Sequence, residues 1–551
     1  MSTQQSSIQS ESVGVSRSRG PADVDSTSAS APHVAVLIVT WNRERMVSNV
    51  LDALSRQEYP LERLDVVVID NASTDGTTEF LIKRWRPERV VANDTDRAHE
   101  PAFEVERPAN GTPNAGGFGS LTLIRNAHNH GGCGGFNTGF AYVAEHLDRA
   151  ASPEFVWLVD DDIDLPTDAL AELTRVAATD ERIGLVGSRT KHIDQRQVTI
   201  ESTIYFNPDA GVMDDHPDPG HRLFESHEAW VREVGGPKGE HELSGTREVD
   251  VVSACSMLAR WSAVRDVGFW DKRFFIYCDD ADWCLRFAQA GHKVVINLDA
   301  VVYHTPWHHK LTPARLYYAQ RNSIWMVQKI MPAGRVKRSV GKLLNAILLS
   351  SINAAMHRRM FHAELMRRAA LDVVTDTGGK LKDDGGPTPE PIDEALKRLA
   401  DGRSRTRIIQ LCRAGHFLPW AAAMRARAAE IGLAIEWIEA VPNTISEEPT
   451  AEDRTRRIVY SGRLRSRLRR QVEFVFRPPR AAVVFDQFND FPLIRGRYNL
   501  HVDGRDLGSA RVERDGLVVR TLFLARWVWA WVRCVAFSAR VRPFRGKDRY
   551  G

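Results

Sequence analysis

The first 335 residues predict an α/β fold with a mostly parallel central sheet covered by helices on both faces, followed by a C-terminal extension of helical or mixed character. Continuous apolar runs at Val34 to Thr40, Asp65 to Ile69 and Phe155 to Val159 have the pattern of strands buried on both faces. Stretches of helical length separate them, which suits parallel neighbours. Polar residues stand at the carboxyl end of each run, where ligands collect in such sheets.

The composition agrees with this class. A chain of 551 residues with 43% hydrophobic and 26% charged residues has the make-up of a globular protein of two or three domains. Its formal charge is only +3, but the distribution is uneven, with aspartate clusters in the first half and arginines enriched after Arg335. The cysteines Cys133, Cys255, Cys278, Cys284, Cys412 and Cys534 show neither a CxxC pair nor zinc-site spacing, so reduced, buried thiols are expected. Residues 1–30 are polar and rich in Ser and Ala, and read as a disordered leader without a signal-peptide core.

After the strand at Val34 to Thr40, a helix is expected from about Glu44 to Ser55. The first strand delivers Thr40, Trp41, Asn42 and Arg43 to its carboxyl end, and the second delivers Asp70, Asn71, Ser73 and Asp75. Asp75-Gly76 also reads as a plain turn. A third strand is expected at Leu121 to Arg125. The segment Asn129-His130-Gly131-Gly132-Cys133-Gly134-Gly135 then reads as a loop before a helix from Asn137 to His146, either a flexible turn or a close approach of backbone to sugar or phosphate. It lacks the Gly-Lys-Ser/Thr of a Walker loop and the full dinucleotide fingerprint.

Asp160-Asp161-Asp162 follows the next strand. Three carboxylates at the mouth of a buried strand repel one another and resist desolvation, which a hard divalent cation held with a polyphosphate would offset. An acidic cap for the helix after Pro166 is the alternative. A second acidic cluster, Asp279, Asp280 and Asp282, opens a helix after the aromatic run Phe274 to Tyr277. Here Asp279 or Asp282 would cap or accept hydrogen bonds, leaving Asp280 to remove a proton. His304 ends an apolar run and is either a core histidine or a metal ligand.

In the extension, Val340 to Met360 reads as a helix, Thr375 to Pro391 as a linker or mobile loop, and Thr406 to Ile435 as helical again. Thr521 to Val541 combines Trp527, Trp529, Trp531 and Phe537 with Arg526, Arg533 and Arg540. This pattern suits either a helix flat on an anionic membrane or one docked on its own protein with arginines reaching solvent. Basic residues from Arg463 to Arg470 could contact phosphates, yet no nucleic-acid recognition motif accompanies them.

The ordered set Val39-Thr40-Trp41-Asn42-Arg43, Ile69-Asp70-Asn71-Ala72-Ser73-Thr74-Asp75-Gly76, Asp160-Asp161-Asp162, Asp279-Asp280-Ala281-Asp282 and His304 resembles the family-2 inverting glycosyltransferases of GT-A, Rossmann-like fold. Within them it is most similar to bacterial galactofuranosyltransferases, with rhamnosyltransferases as near relatives. The resemblance covers Ala31 to Ile330 and extends to Asn129 to Phe136, Tyr317-Tyr318 and Arg321-Asn322.

The resemblance implies a hexosyltransferase that moves galactofuranose from UDP-galactofuranose, or rhamnose from dTDP-rhamnose, to a hydroxyl of a polyprenyl-linked or cell-envelope glycan. It implies Asp280 as general base. Thr40, Asn42, Arg43, Asp70, Asn129, Gly135, Asp160 and Asp161 would line the donor site, with Asp162 and His304 holding Mg2+ or Mn2+. Asp279, Trp270, Tyr277, Trp283, His308 and Arg321 would lie toward the acceptor or support the site. The expected setting is the inner face of the cell membrane, on an anionic surface and without nucleic acid, and a homo-oligomer is compatible. A nonenzymatic nucleotide-sugar binder on the same scaffold is the competing class. The amino-terminal β-rich domain of the long galactan polymerase has no counterpart in the thirty polar residues before the first strand.

Overall fold

The computed structural model describes residues 31–543 apart from 96–99, 108–112, 149–151, 308–311, 357–358, 383–385, 401–405, 413–414, 446–454, 462–477, 486–495, 504–506 and 515–516. The expectations for the leader, for His308 and for Arg463 to Arg470 lie outside these residues.

The strands of the first half are β1 (Val34–Thr40), β2 (Leu64–Asp70), β3 (Arg89–Asn93), β4 (Phe103–Arg107), β5 (Ser120–Asn126), β6 (Phe155–Asp160), β7 (Ile183–His192), β8 (Thr199–Glu201), β9 (Tyr205–Asn207), β10 (Val212–Asp214), β11 (Thr246–Glu248), β12 (Ser256–Arg260) and β13 (Lys293–His304). Among the described residues they form an eleven-stranded sheet in the order β11-β13-β7-β12-β6-β1-β2-β5-β3-β4, with β8 on β7, while β9 and β10 make a separate hairpin. The centre is parallel: β1 pairs with β2 and β6 in registers that set Thr40 beside Asp70 and Val39 beside Asp160. Three polar strand ends therefore share one edge of the sheet. β12 runs antiparallel between β6 and β7.

The covering helices are α1 (Glu44–Leu54), α2 (Thr77–Trp85), α3 (Gly131–Tyr142), α4 (Ala169–Ala177), α5 (Phe224–Val234), α6 (Trp261–Val267) and α7 (Asp279–Gln289), followed by α8 (Pro313–Ile330), α9 (Ala333–Met356) and α10 (Met360–Val374). Apolar residues on opposite sides of the sheet feed two separate cores, Leu37 and Ile69 into one, Ile38 and Val68 into the other. All six cysteines are free thiols and buried.

The glycine-rich segment departs from the expected loop. Gly131 to Gly135 are the first turns of α3, which ends at Tyr142 and continues as a π-helical turn, Val143–Leu147. Glycines disfavour helix, but packing decides here. A Cβ on Gly135 would stand 2.5 Å from Val39 Cγ1, and one on Gly139 would stand 2.9 Å from Leu37 Cδ1. The glycines thus let α3 lie directly on β1. Gly135→Val is expected to destabilise the fold by about 1–3 kcal/mol through overpacking. Gly132→Ala, where a Cβ meets nothing within 4 Å, is expected to be neutral or stabilising. Urea denaturation of the two variants checks this.

The extension contains a second sheet. Residues 406–435, expected as helix, form strand β15 (Thr406–Leu411), a 3-10 turn and helix α12 (Leu418–Glu430), after β14 (Glu390–Pro391) and α11 (Ile392–Ala400). With β16 (Ile435–Pro442), β17 (Arg456–Tyr460), β18 (Ala481–Val484), β19 (Tyr498–Asp503) and β20 (Ser509–Glu513) the order is β14-β20-β19-β18-β15-β16-β17. The short run Ile408 to Leu411 is buried between parallel neighbours, a setting that periodicity alone does not separate from helix. The final helix, α13 (Leu517–Arg540), packs against α9 and α10. The expected linker at 375–391 is in part closely packed, since a Cβ on Gly378 would meet Arg273 Cα at 2.7 Å.

Candidate active site

The β1 end is tied to the β2 end by Asn42, whose backbone N–H donates to Ser73 Oγ at 2.8 Å and whose Oδ1 accepts from Thr74 N–H at 2.7 Å. Asn42 itself has φ +54°, a left-handed conformation that asparagine tolerates better than most residues. Asp70 is buried, accepting from Ser73 N–H at 3.0 Å and from the Thr78 hydroxyl. Asp75 accepts from Thr77 N–H and Oγ1, the plain-turn role.

Asn129 Oδ1 accepts from Gly131 N–H at 2.8 Å and so sets the start of α3. Asn71 serves the same loop more widely: its Nδ2 donates to Gly131 O at 2.9 Å, and its Oδ1 accepts from Asn126 Nδ2 and His130 N–H. Sequence reasoning placed Asn71 at a strand end but gave it no role. Gly135, expected at the donor, faces Val39 instead.

The triple aspartate divides its work. Asp161 is buried and accepts from Thr40 Oγ1 at 2.7 Å and from Arg43 Nη1 at 2.6 Å. Burial pushes its carboxyl up to about 6, with the Arg43 charge opposing that rise. Arg43 also reaches Asp162 at 2.9 Å. Thr40, Arg43 and Asp161, all expected at the donor, therefore bind one another.

Asp160 and Asp162 turn toward His304. The bridge between Asp164 and Tyr303, with reciprocal N–H to O distances of 3.0 Å, fixes the aspartate loop beside the end of β13. His304 Nε2 stands 3.0 Å from Asp162 Oδ1 and 3.8 Å from Asp160 Oδ2. The three ligand atoms lie within 4.8 Å of one another, and all three residues are partly buried. Two carboxylates and an imidazole converging at this separation fit a divalent cation, and the mixed oxygen and nitrogen set suits Mn2+ better than Mg2+.

The second acidic cluster opens α7 as expected. Asp282 is an ion-pair acceptor: Lys329 Nζ contacts it at 2.6 Å and Asp271 at 2.5 Å, and Arg286 adds a contact at 3.1 Å. Lys329 is almost fully buried, so this network fixes α7 against α8. Asp279 is buried, and burial next to Asp280 raises its carboxyl well above the ordinary range.

Asp280 stays partly exposed, accepting from Ala281 N–H at 2.7 Å and Ala254 N–H at 3.3 Å. Burial raises its carboxyl, those two N–H groups oppose the rise, and the charge of Asp160 adds to it. The loop carrying Ala254 also meets the first cluster, since Asp160 N–H donates to Cys255 O at 3.0 Å. The two acidic clusters are thus brought to one place from positions more than a hundred residues apart.

Glu201, at the end of β8, was missed. Burial raises its carboxyl to about 7, and it interacts with Asp280, His304, Lys238 and Ser253. A single acid in a three-residue strand carries no pattern that would have marked it.

Three expected acceptor-side residues are structural. Trp270 and Trp283 are fully buried, packed with Phe136 and Phe140, and cannot offer a face to a sugar. Trp283 Nε1 donates to Gly268 O at 2.8 Å. Arg321 is buried with its guanidinium on backbone carbonyls. Tyr277 is partly buried.

Residues 35–104 match the family model described as Glycosyl transferase family 2, and residues 114–326 match that described as Glycosyltransferase like family 2. Over 49 residues, 9% of this chain, the sequence is 39% identical to Glycosyltransferase AglE of Haloferax volcanii and 35% identical to the poly(ribitol-phosphate) beta-N-acetylglucosaminyltransferase TarS of Staphylococcus aureus. The matched stretches cover 16% and 9% of those proteins. Among solved structures, the mannosyltransferase PcManGT of Pyrobaculum calidifontis with GDP-Man and Mn2+ aligns at 16% identity and a TM-score of 0.34, covering 63% of this chain and 88% of that one. TarS 1-349 of S. aureus with UDP-GlcNAc aligns at 14% and 0.36, covering 62% and 83%. The matched models span the strands and loops that bring both acidic clusters together, so residues 35–326 form a sugar-transferase region of family-2 type on a GT-A core.

Proposed function

We propose that this enzyme is a cation-dependent inverting transferase that moves galactofuranose from UDP-galactofuranose to a hydroxyl of a polyprenyl-linked envelope glycan. The observation that carries the transfer chemistry is the convergence of Asp160, Asp162 and His304 beside a second, partly exposed carboxylate, Asp280. The galactofuranose preference rests on the motif resemblance, and dTDP-rhamnose is the second donor to test.

Asp160, Asp162 and His304 would hold Mn2+ or Mg2+, which when bound would neutralise charge developing on the departing diphosphate. Asp280 accepts the proton of the acceptor hydroxyl as its oxygen bonds to the anomeric carbon opposite the diphosphate, and the carbon–oxygen bond to the diphosphate breaks. One displacement inverts the configuration. Arg43 holds the aspartate loop by neutralising Asp161, and Asn42 fixes the neighbouring turn. The donor assignment is tested by thermal-shift titration of UDP-galactofuranose, dTDP-rhamnose, UDP-GlcNAc and GDP-mannose with Mn2+. Selective stabilisation by UDP-galactofuranose is expected; stabilisation by another donor alone would replace the sugar assignment.

A lipid-linked acceptor would set the enzyme at the inner face of the cell membrane, and the outer surface of α13 supports that reading. By length and apolarity both α9 and α13 could cross a bilayer, but α13 carries Arg520, Arg526 and Arg533 along its length. It lies antiparallel to α9, with Trp527 Nε1 donating to Leu348 O and Gln328 donating to Arg542 O at the other end. Leu524, Val528, Trp529, Val532 and Val535 face outward, each about half exposed. Exposed Lys337, Arg338 and Lys342 open α9 at the end nearest Arg540. An apolar face rimmed by cations suits shallow insertion into an anionic leaflet. Trp529→Glu is expected to weaken cosedimentation with phosphatidylglycerol vesicles at least about tenfold, the scale of losing one large buried apolar side chain.

A further inference from the structure

The turn that presents Asp279 and Asp280 is left-handed at two consecutive non-glycine residues, Tyr277 at φ +68° and Cys278 at φ +64°. Such a conformation is strained for any residue but glycine, and a pair in sequence persists only where neighbouring groups over-determine the backbone. Those groups come mainly from α8. Asn322, fully buried, donates from Nδ2 to Ile276 O at 3.0 Å and to Tyr277 O at 2.8 Å. Its Oδ1 accepts from Arg321 Nε at 3.1 Å, which fixes the orientation of the amide.

Arg321 extends the hold. Its guanidinium donates to Arg273 O at 3.3 Å, and to Thr377 O and Gly379 O at 3.3 and 3.2 Å. Gly379 N–H in turn donates to Arg273 O at 2.7 Å, and Leu381 N–H donates to Tyr318 OH at 2.7 Å. On the opposite side, Cys133 N–H of α3 donates to Phe275 O at 3.2 Å. Asn322 spends its Nδ2 donors on this turn, and the residue is fully buried.

We propose that Asn322 is a positioning residue for sugar transfer: it clamps the strained 276–278 turn and thereby sets where the Asp280 carboxylate stands. Arg321 locks the clamp and ties it to the segment after α10. The proposal rests on the reading of Asp280 as the base. Asn322→Asp keeps the side-chain shape but sets an acceptor against two carbonyl oxygens, so the turn relaxes and Asp280 shifts. A displacement of about 1 Å at a reacting group lowers rate by about 10²-fold.

In the full-length enzyme, Asn322→Asp is expected to lower kcat about 10–100-fold with the donor KM within about threefold, in protein whose circular dichroism matches the parent. Adding Cys278→Gly, which removes the conformational penalty at that position, is expected to recover at least about threefold of the lost kcat. A stability role alone would lower Tm without moving kcat of the folded enzyme and would show no recovery. A kcat for Asn322→Asp within twofold of the parent, or no recovery by Cys278→Gly, overturns the clamp. Asp280→Asn, measured in parallel, separates the two readings: if it is fully active the base assignment fails and takes the clamp with it, whereas if it is inactive while Asn322→Asp is normal the clamp fails alone.

Discussion

Asp280→Asn is expected to lower kcat by about 10²–10⁴-fold, the range contributed by a positioned general base, while donor affinity stays within a few-fold. The substitution keeps the side-chain shape and one acceptor oxygen, so Ala281 N–H at the start of α7 keeps its partner, while the weaker bond from Ala254 N–H to the other oxygen is lost. It removes the oxygen able to take the acceptor's proton. Asp279, one residue away, does not substitute, because it is buried, whereas Asp280 is partly exposed. Asp282 is also committed, to Lys329 and Arg286. Steady-state kinetics with calorimetric donor titration separates the two parameters. Loss of donor binding with kcat retained would move Asp280 out of the base role and into the donor site.

Asp162→Ala and His304→Ala are expected to weaken cation activation at least about 100-fold, because each removes one of three converging ligands. Free Mn2+ measured by electron paramagnetic resonance should stay high in both variants with UDP present, where the parent depletes it. Asp161→Asn provides the contrast. Its carboxyl lies outside the ligand group and neutralises Arg43, so Mn2+ stoichiometry should persist while thermal stability falls. Equal loss of Mn2+ in all three would mean that the loop's folding, rather than its ligand set, was being read.

Strands buried on both faces were the most legible part of the fold. β1, β2 and β6 are mainly apolar runs because helices cover each side, and their polar ends marked the site edge. Ser256–Arg260 carries no such run, yet forms the antiparallel strand that positions the loop at Asp280. The glycines of α3 argued for a loop on propensity, and only their contact with Val39 and Leu37 explains a helix there. The second sheet was hidden because Thr406–Leu411 is too short to separate strand from buried helix.

At the site, the spacing of Asp160, Asp162, Asp280 and His304 was readable because clustered carboxylates are physically unusual. The partners of those groups were not. Trp270 and Trp283 could be sugar platforms by sequence, with core packing favoured for at least one, and their burial decides for core in both. Glu201 and the clamp at Asn322 depend on distances between remote segments, which composition and periodicity do not encode.

The most direct test of sugar transfer is a single reaction: purified full-length enzyme, UDP-galactofuranose, a polyprenyl-linked glycan acceptor and Mn2+, with product followed by mass spectrometry and its anomeric configuration read by NMR. A product one hexose heavier, inverted at the anomeric carbon, abolished by EDTA and absent with Asp280→Asn is expected. Transfer that persists in EDTA or in Asp280→Asn, or that retains the donor's configuration, would contradict the account.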